Sequence, residues 1–306
     1  GVRRWGAGAL DLAFVAAGLI ASLPASVSAQ QLTRLRFQLD WRFDGQAAPF
    51  FLGAAKGYFK QEGLDVTIDA GAGSGAAVQR VATGYDMGFA DISAMIEFLS
   101  NNRDNPGARM QAVYMVYDYS PAAVFALKKS GITKPSDLNG KTLGAPVFDA
   151  GRKAFPIFEK ANKLDPKSIK WASMDPPLRE TMLVRNEVDA ITGFWFSSFM
   201  NLKANGVKAE DITVLMMRDF GVDLYGNVII VNPDFAKSNP KAVAGFVRAT
   251  LRGIQDAIKS PETAIDALMK RNAIANRDAE LERLNHIKTE FVSMVSHELR
   301  TPITAV

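Results

Sequence analysis

The sequence predicts an α/β protein organised in two lobes, and three observations lead to this prediction. The chain has 306 residues, of which 48% are hydrophobic and 22% charged, a composition typical of globular proteins. From residue 32 onward, short β-like runs alternate with helical patterns, as in proteins whose helices cover a mostly parallel sheet. The length also suggests two units, because domains often have about 150 residues each.

Strands and helices can be assigned in order along the chain. Each predicted strand is a short run of residues that favour extended structure, and glycine or proline marks the turns, as at Gly63, Gly140 and Pro240. The predicted strands are Leu35–Leu39, Val66–Ala70, Met87–Ala90, Met110–Tyr117, Ala123–Leu127, Thr142–Ala145, Ile169–Met174, Ala190–Gly193, Thr213–Met217 and Val228–Val231. The predicted helices between and after them are Ala48–Gln61, Ala76–Thr83, Ser93–Ser100, Arg152–Asn162, Pro177–Asn186, Phe196–Asn205 and Lys241–Lys259. We expect a largely parallel sheet in each half.

Composition excludes several classes of function. The 36 basic and 32 acidic residues leave a charge of only +4, so we expect no nucleic-acid partner. The chain has no cysteine, which excludes thiolate metal sites, cysteine nucleophiles and redox pairs. Residues 31–285 also lack histidine, so neither a Ser-His triad nor a histidine-ligated metal can form there. We therefore expect a body without catalytic activity, metal or cofactor.

The N-terminal residues 1–29 have the order of a secretory signal peptide. Arg3 and Arg4 precede an apolar run, which is followed by Pro24 and a stretch of small residues ending at Ala29. The alternative is a short buried or membrane-spanning helix, but the run falls short of the roughly 20 residues that a span needs. We expect cleavage after Ala29 and a periplasmic or other extracytoplasmic location.

Several short motifs lie along the chain, and their order and spacing resemble those of a known family. They are Phe37-Gln38-Leu39-Asp40-Trp41, Ala48-Pro49, Lys56-Gly57-Tyr58-Phe59, Glu62-Gly63-Leu64-Asp65-Val66, Gly73-Ser74-Gly75, Met87-Gly88-Phe89-Ala90-Asp91, Lys134-Pro135-Ser136-Asp137-Leu138-Asn139-Gly140-Lys141-Thr142 and Tyr225-Gly226-Asn227-Val228. With these motifs, residues 32–272 resemble the substrate-binding proteins of ABC importers. Within that group they most resemble the branch that binds thiamine-precursor pyrimidines, with its relatives for taurine, alkanesulfonates and nitrate.

The resemblance implies a bilobed α/β fold, the type II periplasmic-binding-protein fold, with the solute held in the cleft. Lobe one would comprise residues 30–125 and 220–272, and lobe two residues 126–219, joined by two hinge crossings. A C-terminal helix would follow. In such lobes, ligands bind beyond the carboxyl ends of the strands, where helix N-termini point their amides.

A glycine-rich loop is the first candidate for ligand binding. Gly73, Ser74 and Gly75 follow a predicted strand and begin a predicted helix, so Ser74 could cap that helix or donate to an anionic group of a ligand. The alternative is a tight turn that binds no ligand. The loop is not a nucleotide-binding Walker motif, because no Gly-Lys-Ser/Thr follows it.

Aromatic and acidic residues at other strand ends complete the predicted site. In the resemblance, Trp41 would stack on a planar ligand and Asp40 would accept a hydrogen bond from a ring amine. The remaining candidates follow or precede strands in the same way: Tyr117, Asp118, Phe148, Asp149, Trp195, Asp223 and Tyr225. A residue of this kind, taken alone, is more often a core or solvated loop residue than a ligand contact, but together we expect the aromatic rings to converge on one cleft.

These features predict a solute-binding protein of an ABC importer. It would close on a small planar or anionic solute, such as a thiamine-precursor pyrimidine, and deliver it to a membrane permease for transport. Pyrimidine synthases of the eukaryotic type share the resemblance, but they use histidine and cysteine residues that this body lacks.

Residues 273–306 resemble a different family. The run Ser296–Pro302 is similar to the phosphoacceptor box of sensor histidine kinases, which makes His297 the phosphorylated residue and Glu298 the neighbouring acid/base. The alternative function is therefore the sensor portion of a truncated or fused two-component kinase. This segment carries no ATP-binding domain, and kinase chemistry would require the cytoplasm, in conflict with the signal peptide.

The same segment predicts one helix over residues 277–300. Leu281, Leu284, Phe291 and Val295 approximate a coiled-coil seam. Because such a seam is shaped to pair with another helix, we expect it to pack poorly on an α/β lobe and to be either exposed in a monomer or buried in a homodimer.

Overall fold

The computed structural model describes residues 31–105 and 108–298, with side chains described as far as Lys288. The predicted signal peptide at residues 1–29 lies outside this part of the chain. So do the side chains of Phe291, Val295, His297 and Glu298. None of the helices in this part of the chain combines the length and the apolar character of a membrane span.

The described part alternates strands and helices, as predicted. The strands are β1 (Thr33–Gln38), β2 (Leu64–Asp69), β3 (Met87–Asp91), β4 (Gln111–Met115), β5 (Ala122–Leu127), β6 (Thr142–Ala145), β7 (Lys170–Ser173), β8 (Ala190–Phe194), β9 (Ile212–Met216) and β10 (Asn227–Val231). The helices are α1 (Ala48–Ala55), α2 (Tyr58–Gln61), α3 (Ser74–Thr83), α4 (Ile92–Asn101), α5 (Ala150–Ala161), α6 (Arg179–Val184), α7 (Trp195–Ala204), α8 (Pro233–Ser238), α9 (Pro240–Lys259), α10 (Pro261–Met269) and α11 (Arg277–Glu298). Every predicted strand is confirmed, with its ends displaced by at most two residues.

The strands form two five-stranded sheets, one in each lobe. Their orders are β2-β1-β3-β10-β4 in lobe one and β7-β6-β8-β5-β9 in lobe two. The prediction of largely parallel sheets is wrong, because β10 and β5 pair antiparallel with both of their neighbours. These two strands follow the crossings between the lobes, and each enters its sheet in the opposite direction to the strands it joins.

The chain crosses between the lobes twice, between β4 and β5 and again between β9 and β10. The division at residues 125 and 126 that the sequence suggested would cut through β5, which pairs along its length with strands of lobe two. Hydrogen bonding between β-strands therefore places the first crossing before Ala122.

Each sheet is covered on both faces, which explains the continuous apolar runs in strands such as β5 and β10. In β5, Val124 faces one cluster of lobe two and Phe125 the other. In β10, Ile229 and Ile230 likewise face the two opposite cores of lobe one. This burial on both sides produces the short continuous apolar runs from which the strands were predicted.

One predicted helix is divided in two. The sequence suggested a single helix over Ala48–Gln61, but α1 ends at Ala55 and α2 begins at Tyr58. Between them, Gly57 has a φ of 71°, a left-handed conformation that glycine adopts without steric cost.

The C-terminal helix α11 differs from expectation in its packing. It forms as one helix to Glu298, but Leu284 is only 1% exposed and joins the lobe-one core together with Ile287. Leu281 is half-buried against the same core. The expectation of a poorly packed seam is therefore wrong for its first part, because α9, α10 and the turn at residues 45–47 leave an apolar surface that α11 covers.

Candidate functional site

A cavity between the two lobes brings together several of the predicted residues. Its lining residues are Asp40, Trp41, Gln46, Gly73 and Ser74 from lobe one, and Asp149, Ala150, Arg179, Phe194 and Ser197 from lobe two. The empty space among the lining atoms is about 300 Å³, but the centre of a water molecule can move through only about 20 Å³ of it. Because one water needs about 10–15 Å³ on this measure, the lobes are nearly closed and must part to admit a solute.

Asp40 lies on the lobe-one side of the cavity and is 3% exposed. Gln46 Nε2 donates to its Oδ1 at 2.7 Å, and Asn227 Nδ2 donates to its Oδ2 at 2.7 Å. The Ser74 hydroxyl lies 3.4 Å from Oδ2 and accepts a hydrogen bond from the backbone N–H of Asp91. The carboxyl group that follows β1 is thus held by side chains from three other segments.

Burial raises the pKa of Asp40 from 3.8 to about 7, because the hydrogen bond from Asn227 offsets only part of the loss of solvent, and the negative charge of Asp44 adds to the rise. Burial also raises the pKa of Asp91, which accepts hydrogen bonds from Ser93 and Ser120. Both carboxyl groups therefore hold protons more tightly than solvated acids do, and Asp40 is the one of the two that lines the cavity.

This pKa predicts how the stability of the protein changes with pH. The unfolded chain releases the Asp40 proton near pH 4 and the folded chain near pH 7. Protonation of Asp40 therefore contributes to the free energy of unfolding in full below pH 4, and this contribution is lost as the pH rises to 7. The loss should be on the order of 4 kcal/mol at most, since one pKa unit corresponds to about 1.4 kcal/mol. We expect the stability of Asp40→Asn relative to wild type to increase as the pH is raised from 5 to 8, because only wild type loses the Asp40 proton. Urea unfolding at each pH measures this difference.

The exposed Asp65 on β2 offers a matched control, because its side chain reaches solvent. Asp65→Asn, measured in parallel, shows how much the removal of an exposed acid alone changes the free energy of unfolding over the same pH range. A pH-independent difference for Asp40→Asn would show that Asp40 is not the titrating group.

Arg179 at the start of α6 faces the cavity from lobe two and is 1% exposed. Its Nη1 lies 2.8 Å from Asp149 Oδ2, and its Nη2 lies 2.8 Å from Glu180 Oε1. Burial alone would lower the pKa of Arg179, but the charges of Glu180 and Asp149 outweigh burial and raise it. The guanidinium carbon also lies 4.9 Å from the centre of the Trp41 ring, which is a cation–π contact between the lobes.

The glycine-rich loop forms a close contact with lobe two. The backbone N–H of Gly75 donates to Phe148 O at 3.0 Å, and that of Gly73 donates to Asp40 O at 2.6 Å. A Cβ atom at Gly73 would lie 2.3 Å from Phe148 O, so only glycine permits this approach. Ser74 begins α3 but does not cap it, since Gly73 occupies the cap position.

The structure places the remaining predicted aromatic residues away from the cavity. Tyr117 is buried in the core, edge-on to Phe89 and Phe196. Phe148 contributes its backbone oxygen to the loop contact, and Trp195 packs against Phe196 and His286 beside α11. The expected convergence of aromatic rings on one cleft is therefore wrong, because Trp41 is the predicted ring that lines the cavity.

Three other predicted residues line a second cavity at the hinge. Asp118, Asp223 and Tyr225 lie there with Tyr119, Met115 and the first turns of α4, and the centre of a water molecule can move through about 530 Å³ of this cavity. Tyr225 is 54% exposed. None of these three residues lines the interlobe cavity, so one solute in that cavity does not contact all the predicted residues.

Sequence reasoning did not identify Arg179, Gln46, Phe194 and Ser197. Arg179 and Glu180 are adjacent charged residues in a predicted helix, and such residues are mostly exposed in proteins. Gln46 lies in a loop without any motif. Ser197 and Phe194 flank Trp195, which was chosen for its ring alone. The strand-end position of Phe194, at the end of β8, is the one signal that could have identified it.

Two α/β lobes around a closed interlobe cavity are the architecture of type II periplasmic binding proteins. The solved structure of the alkanesulfonate-binding protein SsuA from Xanthomonas axonopodis pv. citri, bound to MOPS, has this fold, with a TM-score of 0.65 and 14% identity over 83% of each chain. The predicted fold class is confirmed. The family profile described as NMT1/THI5 like matches residues 44–264, and the chain belongs to this family.

Two curated relatives are also similar to this chain. The riboflavin-binding protein RibY of Chloroflexus aurantiacus is 27% identical over 249 residues, which are 79% of this chain and 68% of that protein. The formylaminopyrimidine-binding protein of Halalkalibacterium halodurans is 23% identical over 281 residues, which are 89% of this chain and 80% of that protein. The resemblance to ABC-importer binding proteins is confirmed, whereas these comparisons give the histidine-kinase resemblance no support.

Proposed function

We propose that this protein is the solute-binding component of an ABC importer and closes on a small planar nitrogen heterocycle that carries hydrogen-bond donors. A thiamine-precursor aminopyrimidine is the solute class that fits best. The observation that supports this most strongly is Gln46 Oε1, which is buried at the cavity and has no hydrogen-bond partner among the described residues. A buried acceptor of this kind is costly unless a bound molecule donates to it.

The charges around the cavity also favour a donor over an anion. Asp40 and Asp149 contribute carboxyl groups, and the cation Arg179 already pairs with Asp149 and Glu180. The amides of Gly73 and Gly75 donate to protein oxygens and do not face an empty anion site. An amino group on a ring could instead donate to Gln46 Oε1 and Asp40, so the cavity suits an aminopyrimidine better than a sulfonate or nitrate ion.

The ring of Trp41 supplies the planar surface for such a solute. Arg179 lies against that ring with the lobes closed. A flat heterocycle that enters between the lobes would stack on Trp41 and exchange one planar contact for another.

The relatives support the same class of solute. Their names specify riboflavin and formylaminopyrimidine, both planar nitrogen heterocycles. We place this protein outside the cytoplasm, where the predicted signal peptide would direct it, and infer that it delivers its solute to a membrane permease.

Calorimetric titration with a panel of solutes tests the proposal. The panel contains a 4-aminopyrimidine precursor of thiamine, its formylamino derivative, riboflavin, taurine, an alkanesulfonate and nitrate. We expect an aminopyrimidine to bind more tightly than any of the three anions. Tighter binding of an anion would overturn the assigned solute class, and no binding by any member would overturn the proposed function.

The close contact at Gly73 gives a variant that should prevent closure. Gly73→Ala places a methyl group against Phe148 O and should weaken solute affinity about tenfold or more, because such overpacking typically costs 1–3 kcal/mol. Gly84→Ala is the matched control, since Gly84 also has a positive φ but an added Cβ would meet no atom within 4 Å. Equal affinities of the two variants would show that the loop does not need to approach lobe two.

A further inference from the structure

We propose that helix α11 is a strap that holds the two lobes together and favours the closed cleft. This inference rests on the proposed function, because lobe closure matters for solute binding. It concerns a different part of the molecule, since α11 does not line the cavity.

Helix α11 is anchored firmly on lobe one. Leu284 and Ile287 are buried in the lobe-one core. The backbone N–H of Gly45 donates to Glu280 Oε2 at 2.6 Å, and a Cβ atom at Gly45 would lie 2.7 Å from the backbone oxygen of Glu280. The loop after β1 therefore lies directly against the first turns of α11, and the helix should move with lobe one.

The same helix contacts lobe two through α7. Arg283 Nη2 donates to Asn201 Oδ1 at 2.9 Å, and Lys203 Nζ lies 2.8 Å from Glu282 Oε1. The ring centres of His286 and Trp195 are 5.3 Å apart. Parting the lobes would break these contacts while it leaves the apolar anchor on lobe one intact, so the contacts add to the stability of the closed arrangement alone.

Arg283 also connects the strap to the cavity. The side chain is buried, and its Nη1 lies 3.7 Å from Asp44 Oδ2. Asp44 in turn accepts from the backbone N–H of Gln46 at 3.0 Å and lies 3.4 Å from the hydroxyl of Ser197. Because Gln46 and Ser197 line the cavity from opposite lobes, Arg283 orients the carboxylate that joins them.

A charge swap across the strap tests this proposal. Lys203→Glu should repel Glu282 and part the lobes more often, and the double variant Lys203→Glu with Glu282→Lys should restore the wild-type distribution. Spin labels on Lys60→Cys in lobe one and Glu210→Cys in lobe two report the distance between the lobes. Both residues are exposed, and the chain has no other cysteine to label.

The distances are measured first without solute. We expect the single variant to show a larger open fraction than wild type and the swapped pair to recover. Arg277→Ala is the matched control, because it removes an ion pair of α11 with Asp266, which lies on α10 within lobe one, and should leave the distribution unchanged. A distribution for Lys203→Glu identical to wild type, or a double variant that fails to recover, would overturn the strap.

Titration with the solute found by the panel gives the second measurement. Lys203→Glu should weaken affinity about three- to tenfold, the range expected when one or two polar contacts are lost from the closed state. If no solute binds, the proposed function fails, but the distances measured without solute still decide whether α11 holds the lobes together.

Discussion

Replacing Arg179 with methionine is expected to destabilise the protein by about 3–5 kcal/mol. The substitution leaves Asp149 and Glu180 buried without the guanidinium that pairs with both. Removing one partner of a buried ion pair costs far more than a surface pair contributes, because the remaining charges stay desolvated. Urea unfolding followed by tryptophan fluorescence would measure the loss.

Arg185→Met provides the matched control in the turn that follows the same helix. Arg185 and its partner Glu187 are largely exposed, with 3.9 Å between Nη1 and Oε1. That substitution should change the free energy of unfolding by less than about 1 kcal/mol. Similar small effects of the two variants would mean that Arg179, Asp149 and Glu180 are accessible to water in solution.

Replacing Trp41 with alanine is expected to remove most of the affinity for the solute, about tenfold or more. The ring lines the cavity. Stacking on it contributes on the order of 1 kcal/mol to binding, in addition to the free energy gained by burying its apolar area. Trp41→Phe keeps an aromatic surface and should retain part of the affinity. Calorimetry on both variants, with unfolding curves to confirm that they are folded, measures the effect.

The interpretation of Trp41 depends on the order of these affinities. If Trp41→Ala binds the solute as tightly as wild type, the ring is a packing residue at the edge of the lobe. If Trp41→Phe loses as much as Trp41→Ala, the indole itself and not its aromatic surface is required.

The strands and most helices could be predicted because their causes are local. The runs in β5 and β10 are apolar since both faces of each sheet are buried, and breakers such as Gly63 and Gly140 stand where the chain must turn. The break between α1 and α2 was missed because a glycine within an apolar stretch does not reveal its φ. The direction of β5 and β10 was missed because strand pairing is not encoded in a strand's own residues.

The site was predicted in part for the same reason. Asp40, Trp41, Ser74 and Asp149 follow the ends of strands, and strand ends meet at one edge of a sheet. Tyr117 has the same sequence position but turns into the core, since a ring that follows a strand can point to either side. Arg179 carried no signal, because burial of a charged helix residue depends on partners from distant segments.

The sequence by itself determined the α/β class, the order of strands and helices, and an apolar face on the C-terminal helix. Only the tertiary structure decided what covers that face, since periodicity identifies an apolar stripe but not its partner. It likewise decided the pairings of Asp40 with Asn227 and of Glu280 with Gly45, which join residues 187 and 235 positions apart. Such contacts form when whole lobes pack, and the free energy of that packing is not a property of any single segment.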